Sequence, residues 1–405
     1  KRMYKFAIMK KILLPILVLL LFLTNIFGQY SSILGQGNWH KIATKESGIY
    51  KLSYSDLEVL GVEISNLQIS AIKLYGNGAG MLPKLNSDFR HNDLVENTIK
   101  THDYNNNGVF ESGDYILFYG ESPHIWNYDA SSGLFNHQTH LFSDEVNYFL
   151  TIDSQSEGKR IESKPILQNA TETITSFNAF SFHESESENL IHSGEEWFGE
   201  RFDIQNNQSF YFSFPNLEKT SPVSIKTAVA ARSLVSSTFT VSANSNQLNT
   251  ISVNNIVTTY ATEYAKTASK TTNYNASSSN VTITIDYSSS DNGASAWLNY
   301  IEINARRSLK MSGSAMLFRD VELMTNEVAT YQLENATSST TIWDVSNSTT
   351  ITELPTIFNS GVLSFNDSIN EPHEYLAFNG NSYLTPILKG SVSNQNLHNT
   401  PSDVE

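Results

Sequence analysis

The residues best placed to do chemistry lie between Thr101 and Glu121, THDYNNNGVFESGDYILFYGE. Asp103, Asn105 and Asn107 alternate as oxygen donors, Gly108 follows, and Asp114 closes the run at the twelfth position. That is the spacing of an EF-hand-type calcium loop. A hard cation needs six or more converging oxygens, and a short loop supplies them by pointing every second side chain inward around a glycine turn. The main-chain carbonyl of Val109 takes the seventh position and Glu111 the ninth, so the expected Ca²⁺ ligands are Asp103, Asn105, Asn107, Val109, Glu111 and Asp114. Asp114 stands where an EF-hand has a longer, bidentate Glu, which lowers the expected affinity. An ordinary polar turn built from Asn and Gly is the competing reading.

Other candidates are weaker. His137 and His140 have an i, i+3 spacing that would face one metal on a helix, but Gly133, Asn136 and Ser143 around them predict a loop. Gly76, Gly78 and Gly80 follow a strand in a GxGxG pattern; Pro83 blocks a following helix and no Lys-Ser/Thr pair is present, so a tight turn is expected and not a phosphate loop. The 405 residues contain no cysteine, which excludes disulfides and every thiol mechanism within them. The net charge of −15 argues against nucleic acid as a partner.

The elements around these residues are mostly β. Residues 1–28 read as a secretory signal preceded by extra translated residues, because Met9-Lys10-Lys11 opens an apolar run over Ile12 to Phe27 and Gly28-Gln29 offers a small-residue cleavage site. That implies an exported protein with no transmembrane span once the signal is removed. Removing the signal leaves roughly 375 residues, which at about 100–200 per domain predicts two or three domains. Residues 29–210 are expected to form a β-rich module. It includes a hairpin over Asn38 to Leu52 around the KESG turn, a helix over 56–60 capped by Ser55 and Glu58 and stopped at Gly61, and strands at Ile69 to Tyr75, Tyr115 to Gly120 and Val146 to Asp153. In the acidic run from His183, Glu184, Glu186 and Glu188 should stay in water while Trp197, Phe198 and Phe202 dock on a core.

From 211 to 390 the texture changes to short alternating runs, among them FYFSF, VSIKTAV, STFTVSA, VTITIDY and AWLNYIEIN, separated by Asn, Ser and Gly turns. These predict antiparallel β-sandwich material with few short helices.

Several stretches taken together, SGIYKLSYSDLEVLG, IKLYGNGAGMLP, NDLVEN, FESGDYILFYG, SGEEWFGERF, AWLNYIEINARR and VSNQNLH, resemble the amino-terminal half of PorU-type proteins. These are gingipain-like sortases of the type IX secretion system in Bacteroidota, and the family tends to carry Arg where Glu195 stands. The resemblance implies an outer-membrane-associated cysteine peptidase and transpeptidase. Such an enzyme removes the sorting domain from exported cargo, attaches the cargo to the cell surface, and works beside other attachment-complex proteins. It also implies that residues 391–405 begin a truncated peptidase domain and that this chain, lacking the Cys and His of that domain, is inactive alone. No catalytic residue is assigned. The reading from another class is a calcium-stabilised surface adhesin or glycan-binding β-sandwich protein, with Trp39, Trp126, Trp197, Trp297 and Trp343 as candidate stacking platforms.

Overall fold

The computed structural model describes residues 31–192, 194, 196–259, 263–380 and 382–399. The expected signal peptide, Glu195 and residues 400–405 lie outside the described residues. The architecture is mostly β, 48% strand and 4% helix, in antiparallel sheets that pair face to face around apolar cores. No described helix is long and apolar enough to cross a membrane.

The first body pairs two sheets. A five-stranded sheet runs in the order Ile387–Val392, Trp39–Thr44, Val146–Ile152, Ile72–Tyr75, Glu96–Asn97; a three-stranded sheet orders Gly48–Ser53, Tyr115–Gly120, Lys100–His102. Ile42, Leu52, Leu74, Phe118 and Leu150 form the core between them. The expected hairpin over Asn38 to Leu52 does not form. Both of its strands bury residues on both faces, and a lone hairpin cannot cover two faces. Trp39–Thr44 therefore pairs with Val146–Ile152 and Ile387–Val392, Gly48–Ser53 pairs with Tyr115–Gly120, and the KESG turn carries the chain from one sheet to the other.

The helix is Tyr54–Leu60, and its capping box is Ser53 with Asp56, not Ser55 with Glu58. Ser53 ends a strand with extended backbone, the conformation a cap requires, whereas Ser55 already lies inside the first turn. Ser53 N–H donates to Asp56 Oδ2 at 2.7 Å and Asp56 N–H to Ser53 Oγ at 3.3 Å. Gly61 stops the helix at φ 81°, as expected. The strand expected from Ile69 begins as a 3₁₀ turn, Ile69–Ala71, and only Ile72–Tyr75 is extended.

A second pair of sheets follows. One orders Ser176–Glu184, Ser295–Ser308, Val223–Arg232, Lys266–Tyr274, and the other Asn207–Ser213, Asn280–Ser288, Ser237–Ala243, Asn246–Val253. A third pair contains Glu162–Ser163, Thr352–Leu354, Thr341–Asp344, Glu374–Phe378, Ala315–Arg319, facing Glu172–Ile174, Val328–Glu334, Val362–Ser368, Ile357–Asn359. Strands from both sides of residue 210 share sheets, since Ser176–Glu184 pairs with Ser295–Ser308 along its whole length. One apolar cluster runs through the second and third pairs, including Phe177 and Phe318. Ile49 and Tyr119 of the first body pack with Trp343 and Leu376 of the third. The strand Lys266–Tyr274, KTASKTTNY, escapes sequence reading because it is largely exposed and carries almost no apolar alternation.

Candidate functional site

The calcium-type loop is a closed turn held by its own donors. Asp103 accepts the N–H groups of Asn107 at 3.3 Å and Gly108 at 2.8 Å. Asn105 Oδ1 accepts from Asn107 N–H and Asn107 Oδ1 from Val109 N–H. Asp114, 3% exposed, accepts Tyr104 N–H on one oxygen and Glu111 N–H on the other, each at 2.7 Å. Glu111 accepts from the amides of Asn105 and Asn107. The six expected ligands therefore share one turn, which feeds the buried Phe110 and then the core strand Tyr115–Gly120. The oxygens of Asp103, Asn105, Asn107 and Asp114 face main-chain amides, that of Glu111 faces side-chain amides, and each carboxylate keeps free lone pairs. Among the described residues, only Asp344, Asp367 and His373 gather three acidic or imidazole ligand atoms within 4.8 Å of one another.

That gathering already holds a cation. Lys164 Nζ lies 2.5 Å from Asp344 Oδ2 and 2.9 Å from Asp367 Oδ2, and the buried Tyr375 hydroxyl donates to Asp367 at 3.1 Å. Burial alone would raise the Asp344 carboxyl, but hydrogen bonds from His373, Lys164 and Ser346 outweigh it and hold the group well below the usual carboxylate range. The cluster is an internal ion network that ties the Lys164 segment to both sheets of the third pair.

A third arrangement was missed in sequence. The hairpin Ile125–Asp129 with Leu134–Gln138 lies across the outer face of the sheet containing Ser176–Glu184 and Ser295–Ser308. Trp126 packs on Phe180 with ring centroids 3.7 Å apart, and His137 stacks on Phe182 at 4.2 Å. Main-chain groups join the contact: Phe135 N–H donates to Asn304 Oδ1 at 2.8 Å, and Asn304 Nδ2 donates back to the Phe135 carbonyl at 2.9 Å.

At the centre His137, its side chain 4% exposed, lies between two carboxylates. Its Nδ1 is 2.7 Å from Glu302 Oε1 and its Nε2 3.0 Å from Glu184 Oε2. Ionised carboxylates only accept, so both ring nitrogens carry protons and the ring is an imidazolium. Burial alone would push the imidazole down, but Glu184 and Glu302 overcome it and raise its pKa. The partners shift the other way: burial would raise Glu184 and Glu302, yet His137, Thr139 and Lys226 hold them low. Lys226 Nζ, 3.1 Å from Glu302 Oε2, makes the group of two carboxylates and two cations neutral overall.

The predicted residues fall out as follows. His137 and His140 share no metal: His137 is on a strand facing carboxylates, while His140 Nδ1 accepts the N–H groups of Phe142 and Ser143. Glu184 is buried against His137, and Glu188 accepts the Trp297 indole N–H at 2.7 Å, so of the three expected wet glutamates only Glu186 is exposed. Phe198 and Phe202 are buried as expected, but Trp197 remains 37% exposed. Trp39, Trp297 and Trp343 are core and Phe180 covers Trp126, leaving Trp197 as the exposed tryptophan. A cleft of about 810 Å³ opens beside the His137 group, with Trp197, Phe142 and Glu186 on its walls. The signal for the missed group was Glu302, a lone acid between Ile301 and Ile303 in an apolar strand.

No family model matches the chain, and no curated protein matches it. The crystal structure of dimeric latent PorU from Porphyromonas gingivalis matches with a TM-score of 0.76 at 20% identity, over 92% of this chain and 34% of that one. This chain has a PorU-type fold. It spans about a third of the length of the PorU chain it matches. A carbohydrate-binding module of a xylanase from the hindgut metagenome of Trinervitermes trinervoides matches 32% of this chain and 94% of its own at 14% identity, with a TM-score of 0.21, too low to carry an argument. Two of the PorU-like stretches meet at the site just described. AWLNYIEINARR supplies Glu302 and Asn304, and SGEEWFGERF supplies Trp197.

Proposed function

We propose that this PorU-like chain is a non-catalytic region of a secreted gingipain-like sortase that processes type IX secretion cargo and attaches it at the cell surface. Its part is to position the peptidase domain and to meet cargo sorting domains and other attachment-complex proteins. The observation that carries the reading is the PorU-type fold over 92% of a chain with no cysteine. Acyl transfer of the sortase kind needs a thiolate, so the nucleophile belongs to another domain. The interlocked cores of the three sheet pairs support a rigid scaffold.

The test is an in-frame deletion of residues 31–399 from the producing bacterium, followed by analysis of surface cargo. The expected result is cargo that retains its sorting domain. Normal removal of the sorting domain and normal surface attachment would overturn the reading. We also propose that the Asp103 loop takes Ca²⁺ with weak affinity of the extracellular kind, roughly 10⁻⁴ to 10⁻³ M. The order of its donors and their placement on a single turn support this.

A further inference from the structure

We propose that the cleft between the Ile125–Gln138 hairpin and the Trp197 segment binds an arginine side chain within an extended peptide of a partner protein. The inference rests on the residues of the cleft and not on the sortase reading. The main hollow, about 810 Å³, is walled by His140, Phe142, Phe182, Glu184, Glu186 and Trp197. It continues into a second hollow of about 400 Å³ that shares Glu184, Glu186 and Trp197 and adds Glu196. That space exceeds what one side chain fills, which favours a peptide over a free cation.

The charges in the cleft are not balanced. Glu184 is committed to His137 and Thr139, Glu145 to Lys389, and Lys226 to Glu302. Glu186 has no hydrogen bond or ion pair among the described residues, and burial together with the charges of Glu184 and Glu196 raises its pKa. Lys45 is the one lysine or arginine lining the main hollow. An incoming cation would relieve the repulsion at Glu186 that the fold leaves in place.

The aromatic wall selects the kind of cation. Trp197 is partly exposed and lines both hollows together with Glu186, and a planar guanidinium stacks flat on an indole while its edge donates two parallel bonds to one carboxylate, a fit that the point charge of an ammonium does not reproduce. Phe142, 84% exposed at the rim, offers an apolar seat for a neighbouring peptide side chain. The lip is ordered in advance. Ser187 and Glu188 N–H groups donate to the Phe198 carbonyl at 3.0 and 2.9 Å, Phe198 N–H returns to the Glu188 carbonyl at 2.9 Å, and Phe198 itself is 3% exposed. Trp197 and Glu186 thus flank a pinned pair of segments, and little ordering entropy is lost when a peptide enters.

The experiment uses a blocked leucyl-arginyl-phenylalanine peptide with a fluorescent tag, and its citrulline twin, which keeps the shape and removes the charge. Both are titrated by anisotropy into the purified chain at low salt. The arginine peptide should bind about tenfold more tightly than the citrulline twin, the worth of one charge-assisted contact. Glu186→Gln should reduce that preference to about twofold, and Trp197→Leu should weaken the arginine peptide about fivefold or more. Both residues are on the surface, and unchanged thermal melts confirm that the variants fold. Equal affinity for the two peptides, no binding of either, or a preference that survives Glu186→Gln would each overturn the proposal.

Discussion

Replacing His137 by Gln should loosen the hairpin from the sheet beneath it while leaving both folded. The imidazolium donates at 2.7 and 3.0 Å to two carboxylates that are 3% and 11% exposed, so solvent screens neither contact strongly. Glutamine can donate to one of them only and turns a carbonyl oxygen toward the other. Losing one charge-assisted bond and leaving a carboxylate unmatched costs about 3 kcal/mol. That corresponds to about a hundredfold in the opening equilibrium. The amides of Phe135 and His137 donate directly across the contact, to Asn304 and Glu302, so their hydrogen exchange reports the opening. Protection at these two amides should fall about a hundredfold in the variant while the core strand Tyr115–Gly120 is unaffected.

The same geometry sets a pH window. The His137 pKa is raised, so its contribution is complete below the unfolded value near 6.5 and fades as pH rises through the folded value, by up to about 1.4 kcal/mol per pH unit. Glu184 and Glu302 are depressed, so their contribution is complete above about 4.5 and fades as pH falls through their folded values. Protection, corrected for intrinsic exchange, should therefore be greatest between about pH 4.5 and 6.5. If the two amides keep the same protection within about twofold from pH 6 to 9, and in the Gln variant, the charged clasp does not exist.

Three further outcomes are expected. Lys164→Met leaves Asp344 and Asp367 without their ammonium and should destabilise the fold by about 3–5 kcal/mol in urea unfolding, with part of the loss recovered by adding Asp344→Asn; no recovery would show that the lysine acts through packing. Calcium at about 1 mM should raise the melting temperature of the chain relative to EDTA, by the equivalent of about 0.4 to 1.4 kcal/mol for a Kd of about 10⁻³ to 10⁻⁴ M, and Asp103→Ala should abolish the shift. Equal shifts in parent and variant would leave the loop a polar turn. Ser53→Ala should cost about 1 kcal/mol, whereas Ser55→Ala, outside the capping box, should cost little, as judged by thermal melts.

Period-two alternation in short apolar runs made most of the strands legible, and it made the β class plain in FYFSF, STFTVSA and VTITIDY. Alternation says which face is buried but not which partner covers it. The Asn38 to Leu52 pairing therefore failed, because neighbouring strands in sequence went to different sheets. Lys266–Tyr274 was invisible because a strand closing the edge of a sheet can take its shape from backbone pairing with Val223–Arg232 and needs few apolar side chains. The His137 group was illegible for a different reason. Its members come from four strands far apart in the chain, and His137, Glu184 and Lys226 each read alone as a surface residue. Glu302 alone carried a local warning, a charge at a core position that only a buried cation can satisfy. Trp197 was misjudged because aromatic residues are usually buried, and its neighbour Phe198 took the core position instead.

The pairing of Trp39–Thr44 with Ile387–Val392 brings residues 31 and 399 to the same end of one ladder. Trp39 faces Val392 at that end and Ala43 faces Ile387 at the other, and Gln395 N–H reaches the Leu34 carbonyl at 3.0 Å. Tension applied across these two points would load the bonds one after another, beginning beside Trp39, and would peel Ile387–Val392 off as an edge strand. A zipper of this kind yields at low force, whereas the same strands pulled along their length would resist together. The first body is consequently built to let go gradually under load, and a bridge between residues 39 and 392 would convert it into a mechanical lock.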